Sequence, residues 1–550
     1  MRALQTRMAV ATNNIANADN VNYTAKSANQ ATRINGGVGT GVDVIGIGSN
    51  VDANLVRSIV GATSTNAAAQ TFLDYIQALS NSLGSLSSDG AGDTLATHLS
   101  SLESTLDELA TTPESATLKG QAVTDLEDAA ATLRASSDEV QTLRGNADDA
   151  IADAVDTVND ALHQIDALNE SIARAQAAGK STADLEDQRN AALQTVAEQL
   201  DISYFTDSTG AMKVYTASGQ VLVGAEVHEL SFTAAGTVNA GSTYPGTLSG
   251  ITVNGQDITK SIGSGNIAAL ATLRDTTLPE VQGELDDLAA SLRDTINAIA
   301  NQGSAAPPPN TLTGSESFAA TDSLSASGTL RVAVTDADGK VVSTQDIPLA
   351  GYATVGDLVA DLDAIPGLSA SLDADGHLVL AADSAANGVA VAGGTIGGEN
   401  FSGTFGLNDV LVGSGASDLT VKADLAANST RFPVGAMSTS GTLAAGDVAV
   451  STGSGTLAQS MADAMRKADL ADAAGDLVGK VGSALSSAKT YAGSAETGLT
   501  TLIDSFSSKY GVNVDEETAL ISQLENSYSA SAQVISAVKA MFEDLLQAVR

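Results

Sequence analysis

No cysteine occurs in the 550 residues, which excludes disulfides and thiolate metal sites outright. Tryptophan is also absent and aromatic residues make up only 3%. Ala, Ser, Thr and Gly must therefore fill much of the interior, which favours small-residue helix seams and plain β-domains. Basic residues are scarce: 26 Lys and Arg stand against 65 Asp and Glu, a formal charge of −39. So acidic a surface argues against nucleic acid and anionic membrane as partners, because both require basic patches. No apolar run reaches the roughly 20 residues of a membrane span, so no membrane insertion is expected. Met1-Arg2-Ala3-Leu4-Gln5-Thr6-Arg7 is amphipathic and lacks the apolar centre of a secretory signal. A surface protein beginning this way requires another export route. What is plentiful is apolar residue, at 43%, which excludes wholesale disorder. The length allows roughly two to four domains with real cores.

Catalytic and metal-binding patterns are also missing. His98, His163, His228 and His377 are scattered, with no pair at helical i, i+4 spacing, so neither a His metal site nor a His-based dyad is expected. Asp336-Ala337-Asp338-Gly339 and Asp373-Ala374-Asp375-Gly376 resemble the start of a calcium loop. They lack its later ligands and read as Asp-Gly hairpin turns. The glycines of Gly39-Thr40-Gly41-Val42-Asp43-Val44-Ile45-Gly46 have no Lys-Ser/Thr after them and match no nucleotide fingerprint. They read as turn glycines around a short strand at Val42 and Val44. Ser-rich segments contain no nucleophile elbow beside a general base. The acidic helix faces read as solvated. No catalytic, cofactor-binding or metal residue is assigned, no cofactor is expected, and no enzyme emerges.

The clearest positive pattern lies in residues 511–550. Leu520, Leu524, Ser527, Ser531, Ile535, Val538, Phe542, Leu545 and Val549 advance in steps of three and four, a heptad seam. Asp515, Glu516 and Glu517 stand where a helix start favours negative charge. A lone helix cannot bury such a seam and needs a partner. Leu4, Met8, Ala11 and Ile15 step in the same way at the other end of the chain. The termini are therefore expected to pair as helices, with 50–505 inserted between them. The alternative is that each docks as an ordinary terminal helix on its own domain.

Between the termini the hydrophobic period changes several times. After the first helix, 13–20 is an Asn-rich exit of turn-forming residues. From 50 to 199 the reading is helical. Leu99, Leu102, Leu106 and Leu109 form a stripe closed by Pro113. A longer seam from Val123 to Ile172 predicts a rod-like helix ending near Gly179, with Arg144 marking a break at Gly145. Ser181-Thr182-Ala183-Asp184 has capping-box spacing and opens a helix over 185–200. Period two then predicts strands at 202–205, 212–215 and 220–223, joined by hairpin turns. Leu278-Pro279 opens a helix with the seam Val281, Leu285, Leu288, Leu292, Ile296 and Ile299. Pro307-Pro308-Pro309 marks a boundary. Beyond it, strands at 330–334, 341–343, 368–372 and 377–380 and a helix at 354–364 form a β-rich insert to about 455. Helix returns from 457 to 507 with a break near Gly475. The expected fold class is α+β and multidomain. Paired terminal helices form a coiled-coil core (1–45 with 508–550). A helical-bundle rod domain with a β-hairpin spans 46–306 with 456–507, β-rich over 201–265, and an inserted β-rich domain spans 307–455.

Particular segments carry a family resemblance. Ala9-Val10-Ala11-Thr12-Asn13-Asn14-Ile15-Ala16-Asn17-Ala18, followed by Tyr23-Thr24, resembles the N-terminal signature of flagellar axial proteins. Gly511-Val512-Asn513-Val514-Asp515-Glu516-Glu517, followed by Ser529-Ala530-Ser531-Ala532-Gln533-Val534-Ile535, resembles their C-terminal signature. Gly39-Thr40-Gly41-Val42-Asp43-Val44, Leu185-Glu186-Asp187-Gln188-Arg189 and Leu273-Arg274-Asp275-Thr276-Thr277-Leu278-Pro279 narrow the resemblance to the junction proteins between hook and filament. The family usually begins a few helical turns ahead of the point matching Arg2, so terminal pairing is expected to be partial. Asn22-Tyr23-Thr24-Ala25-Lys26 departs from its commoner Pro-Gly-Tyr pattern.

The resemblance implies a structural role without catalysis, with terminal helices packed into a tube with neighbouring copies and the β-rich insert facing outward. It implies export, unfolded and without a cleaved signal, by the flagellar type III apparatus to an extracellular junction. Implied partners are further copies in a helical ring, the flagellar hook protein, the second hook–filament junction protein and a flagellar export chaperone. Leu4, Met8, Ile15, Leu520, Leu524, Ile535, Val538, Phe542 and Leu545 would form the seam between helices and between subunits. The alternatives are another axial protein, such as the second junction protein or a flagellin, and a secreted adhesin with a helical stalk.

Overall fold

A computed structural model describes the chain except residues 21, 36–37, 85–93, 440, 452–454 and 549–550, so Val549 of the expected seam lies outside the described residues. The chain forms two compact units, each assembled from separate stretches. The first comprises 1–76, 143–277 and 485–550, and the second 77–142 and 278–484.

The first unit is built on the later part of the 62-residue helix Ala116–Ala177. Here Ala147, Ile151, Val158, Leu162 and Ile165 recur at helical spacing and are fully buried. They share one core with Leu193 and Val196 of helix Ala183–Gln199 and with Met212, Val214 and Leu222. The last three belong to an antiparallel sheet of strands Ile202–Thr206, Met212–Thr216 and Val221–Val223, all where period two places them. The expected break at Gly145 does not occur, and the helix runs through it. Arg144 is buried, and its guanidinium donates to the carbonyl oxygens of Arg274, Asn239 and Ser242 at 3.1, 3.0 and 2.6 Å. A packed loop, and not a helix end, interrupts the apolar seam. The helix does stop at Gly179, which takes φ +65° while Lys180 N–H reaches back to the Ala175 carbonyl. Glycine enters this left-handed corner without a Cβ clash.

Other local expectations are corrected. Helix Ala183–Gln199 starts two residues before the predicted 185, and the capping box does not form. Thr182 donates to Glu186 at 2.8 Å, and Ser181 donates to the carbonyl of Ile47 at 3.0 Å. Thr182 caps no backbone amide, and Ser181 Oγ accepts from the Ala183 N–H at 3.4 Å and not from the amide of Asp184. The glycine-rich stretch 39–46 is not a short strand among turns. It belongs to the hairpin Ser27–Asn35 with Val38–Gly48, whose register shifts twice. Ile34 and Ile45 are 67% and 71% exposed there, so its alternation does not mark a half-buried strand. Directly ahead of Pro279, Leu273–Thr277 is a π-helical turn. The wider turn relieves the clash between a proline ring and the carbonyl four residues back.

In the second unit, Leu99, Leu102, Leu106 and Leu109 of helix Leu95–Thr111 are all fully buried. This helix packs on Thr456–Lys467, which presents Ala458, Met461, Ala462 and Met465 and also contacts helix Leu278–Ala300. The chain breaks at Asp469, φ +50°, and resumes as Leu470–Tyr510. Gly475 lies inside that helix, so the break falls earlier than predicted, at an aspartate that tolerates the left-handed region.

The β-rich part of this unit holds two larger sheets. One has the order Val341–Pro348, Ala326–Thr335, Gly388–Ile396, Glu399–Asn400. The other has the order Leu368–Leu372, His377–Ala382, Thr311–Ser317. Helix Val355–Asp363, with a complete Thr354/Asp357 capping box, closes a core around Leu330, Leu358, Leu380, Phe401 and Phe405. The two Asp-Gly segments are turns, as predicted. The Asp336 carboxylate accepts from the amides of Asp338 and Lys340, and that of Asp373 from Asp375 and His377.

Candidate assembly interface

The N-terminal helix Arg2–Ala16 lies along the C-terminal helix Val514–Ala548 in the first unit. Asn14, near the end of the former, donates to Glu517, near the start of the latter, at 2.7 Å, so the two run antiparallel. The N-terminal helix extends about 18 Å back from Asn14 and so reaches to around residue 530. Burial follows that limit. Ala11 is 1% and Leu524 2% exposed. Leu4, Met8, Ile15 and Leu520 are half-buried, as are Tyr528, Ser531 and Ala532. Ser527 is exposed, and Tyr528 takes its place on the covered stripe. Past Ala532 every described residue of the helix is exposed.

That bare segment carries the remaining predicted seam residues. Ile535, Val538, Phe542 and Leu545 are 53%, 41%, 64% and 62% exposed. Val534, Met541 and Leu546 are exposed beside them, so the strip is wider than a single heptad seam. One helix therefore offers two surfaces: a covered half that meets the N-terminal helix, and an open apolar half that none of the described residues covers.

Where the two helices begin to part, a buried polar cluster ties them to helix Ala183–Gln199. Asn14 is fully buried and uses all its hydrogen-bonding capacity. Its amide donates to the carbonyl of Lys26 at 2.9 Å and to Glu517, and its oxygen accepts from the Tyr23 hydroxyl at 2.9 Å and the Lys26 N–H at 3.0 Å. The Lys26 side chain is 4% exposed, and its ammonium pairs with Asp187 and donates to Thr24 Oγ1 at 3.0 Å. Thr24 in turn gives its N–H and its hydroxyl to the Asp187 carboxylate, at 3.1 and 2.9 Å. The Lys26 ammonium also sits 4.5 Å from the centre of the Tyr23 ring. A buried ammonium is tolerated only with such a set of partners.

None of Asn14, Tyr23, Thr24, Lys26, Asp187 and Glu517 was among the predicted seam residues. Asn14 had been read as part of a turn-forming exit, yet it is helical and falls three residues after Ala11 on the covered face. A polar residue on an apolar stripe was the available signal. Asp187 lies in the Leu185–Arg189 stretch of the family resemblance. Arg189, from the same stretch, donates to Asn169 and to the Gly210 carbonyl, both at 2.8 Å, which anchors the first hairpin turn.

The cluster has a pH signature. Burial, followed by the nearby Asp184, Asp187 and Glu517 carboxylates, pushes the Tyr23 phenol from its ordinary 10 up to about 12. The folded state thus holds this proton more tightly than the unfolded chain does. Its contribution is full below pH 10 and is lost as pH rises from 10 to about 12. Amide protection in 1–18 and 514–532 is expected to fall across that window in hydrogen-exchange measurements. In Tyr23→Phe the fall should be smaller and the protection at pH 8 slightly lower.

Paired terminal helices, one of them with an exposed apolar strip, fit the arrangement that the resemblance to flagellar axial proteins implies. Residues 504–548 match the family described as flagellar basal body rod FlgEFG protein C-terminal, and 80–314 match the flagellar hook-associated protein FlgK helical domain. Over 564 residues the chain is 22% identical to flagellar hook-associated protein 1 of Escherichia coli (strain K12), covering 99% of this chain and 97% of that protein. It is 24% identical over 570 residues to flagellar hook-associated protein 1 of Salmonella typhimurium, covering 99% and 98%. The chain thus resembles flagellar hook-associated protein 1 along nearly its whole length. A solved structure, the flagellar hook junction protein FlgK from Burkholderia pseudomallei, aligns with TM-score 0.49 and 17% identity, over 81% of this chain and 98% of that one.

Proposed function

We propose that this chain is a structural subunit of the bacterial flagellum that joins hook to filament and is required for filament assembly. The observation that carries the reading is the open apolar strip beyond Ala532. A soluble chain with 65 acidic and 26 basic residues gains nothing from exposing Ile535, Val538, Phe542 and Leu545 on one helix unless another surface covers them. The covering surface is the same region of neighbouring copies in a helical ring. The hook protein meets the assembly on one side and the second junction protein on the other, and an export chaperone shields the strip before assembly. The location is extracellular, at the junction, reached by type III export. Within this reading 1–45 with 508–550 is the inner core, 46–306 with 456–507 the rod domain, and 307–455 the outward insert. The nine seam residues divide into two sets. Leu4, Met8, Ile15, Leu520 and Leu524 serve the helix pair, and Ile535, Val538, Phe542 and Leu545 serve the subunit contact.

Electron microscopy of cells lacking the chain, with an assay of the medium for flagellin, tests the reading. Hooks without filaments, together with free flagellin, are the expected result. Normal filaments in a strain without a second copy would overturn it.

A further inference from the structure

Three successive backbone amides in the segment after the N-terminal helix leave in three directions. Thr24 N–H goes to Asp187 on helix Ala183–Gln199 at 3.1 Å. Ala25 N–H goes to the carbonyl of Tyr510, the last residue of helix Leu470–Tyr510, at 2.8 Å. Lys26 N–H goes to Asn14 on the N-terminal helix at 3.0 Å. The same tripeptide therefore touches the middle of the sequence and both terminal regions. We propose that Thr24-Ala25-Lys26 is a latch that makes pairing of the terminal helices conditional on a folded helix 183–199, with Asp187 as its anchor.

The argument is one of dependence. Lys26 enters a site where its side chain is 4% exposed, and Asp187 supplies the contacting countercharge there, with the exposed Asp184 carboxylate 3.9 Å away. Without that carboxylate, burying the ammonium is strongly unfavourable, and the segment stays in water. Asn14 then loses the backbone N–H and carbonyl of Lys26 and the hydroxyl of Tyr23, three of its four partners. It becomes an unsatisfied amide on the face that must lie against the C-terminal helix, which opposes burial of that face. Hydrophobic pressure to override this is limited, because most of the large side chains on the covered stripe are only half-buried and Ala11, Ser531 and Ala532 are small. Docking of the tripeptide on Asp187, satisfaction of Asn14 and closure of the two ends are therefore coupled to one another and to a formed helix 183–199. This device concerns the single chain and stands or falls independently of the junction reading.

Hydrogen exchange on the full-length monomer tests it, comparing the natural chain with Asp187→Asn. The expected result is a loss of protection of roughly tenfold or more in peptides spanning 1–18 and 514–532, with peptides spanning 188–199 and 202–216 unchanged. Natural protection at both termini would overturn the proposal. Should Asp187→Asn also loosen 188–199, Lys26→Gln decides, since it leaves helix 183–199 its own sequence. Loss confined to the termini supports the latch, and unchanged termini overturn it.

Discussion

Replacing Ile535 or Val538 by aspartate is expected to abolish filament formation while leaving the monomer as stable as the natural chain. Both side chains are largely exposed in the single chain, and surface changes of this kind shift folding stability by no more than about 0.5 kcal/mol. In an assembly that covers the strip, each copy would bury a carboxylate. Lys539 lies four residues on from Ile535 and within 3.9 Å of Glu543, so Val538→Asp, one residue from Lys539 and not facing it, is the less compensated change. An uncompensated buried charge costs roughly 3–5 kcal/mol, and every 1.4 kcal/mol is about tenfold in affinity. The contact should weaken more than about a hundredfold per copy by the same arithmetic. The measurement is complementation of a deletion strain, read by swarming and electron microscopy, beside thermal unfolding of the purified monomer. A variant that supports filaments would overturn assignment of the strip to the subunit contact. A variant that melts well below the natural chain would show that the strip belongs to the fold of the monomer.

The second large effect is expected inside the first unit. Arg274 is completely buried. It donates to Asp148 at 2.6 Å, to both oxygens of Asp275 at 2.7 and 2.9 Å, and to the carbonyl of Ser249 at 3.1 Å. The rings of Phe232 and Tyr244 lie 5.5 and 5.6 Å from its guanidinium carbon. Asp148 in turn accepts from the backbone N–H of Ala235, so the cluster fixes the 235–249 loop to the long helix. Arg274→Met keeps much of the volume and removes the charge, leaving two carboxylates in the interior. The expected loss is about 3–5 kcal/mol, measured by denaturant unfolding with exchange protection followed over 143–177 and 235–253. A loss under about 1 kcal/mol would mean that the loop is held by its apolar contacts instead, as the smaller values for surface pairs illustrate.

The regular elements were legible because their cause is periodic. The stripe from Leu99 to Leu109, the long seam and the strands near 202, 212 and 221 each bury one face, and that face leaves a repeat in the sequence. The errors arose where a single residue had two physical explanations. Arg144 in a seam signals either a helix end or a buried hydrogen-bonding residue, and only the position of the 239–242 carbonyls decides between them. Gly475 was the obvious helix breaker, yet it sits inside a helix while Asp469 takes the left-handed corner. The strip on the last helix was legible as a seam, but which half is covered depends on the reach of the N-terminal helix. The polar cluster left the least trace. Lys26 and Asp187 are 161 positions apart, and Asn14 and Glu517 are 503 apart. A contact made once, between residues so distant, produces no repeat, and single-chain periodicity cannot find it.

Asn14 also acts as a ruler. The covered stripe mixes the small Ala11, Ser531 and Ala532 with Leu4, Met8, Ile15, Leu520, Leu524 and Tyr528, and apolar packing of this kind chooses between neighbouring alignments less sharply than a buried polar group does. A buried amide that reaches the facing helix through Glu517 and is held by Tyr23 and Lys26 favours one alignment, as a polar residue at a core position does in a coiled coil. Sliding by a single turn, about 5.4 Å, would strand Asn14 among methyl groups and leave Glu517 without it. The overlap is therefore fixed, and so is the bare stretch of about 24 Å from residue 533 to 548. If copies assemble through this strip as proposed, each presents the same length of it to its neighbour, so the contacts can repeat without gaps.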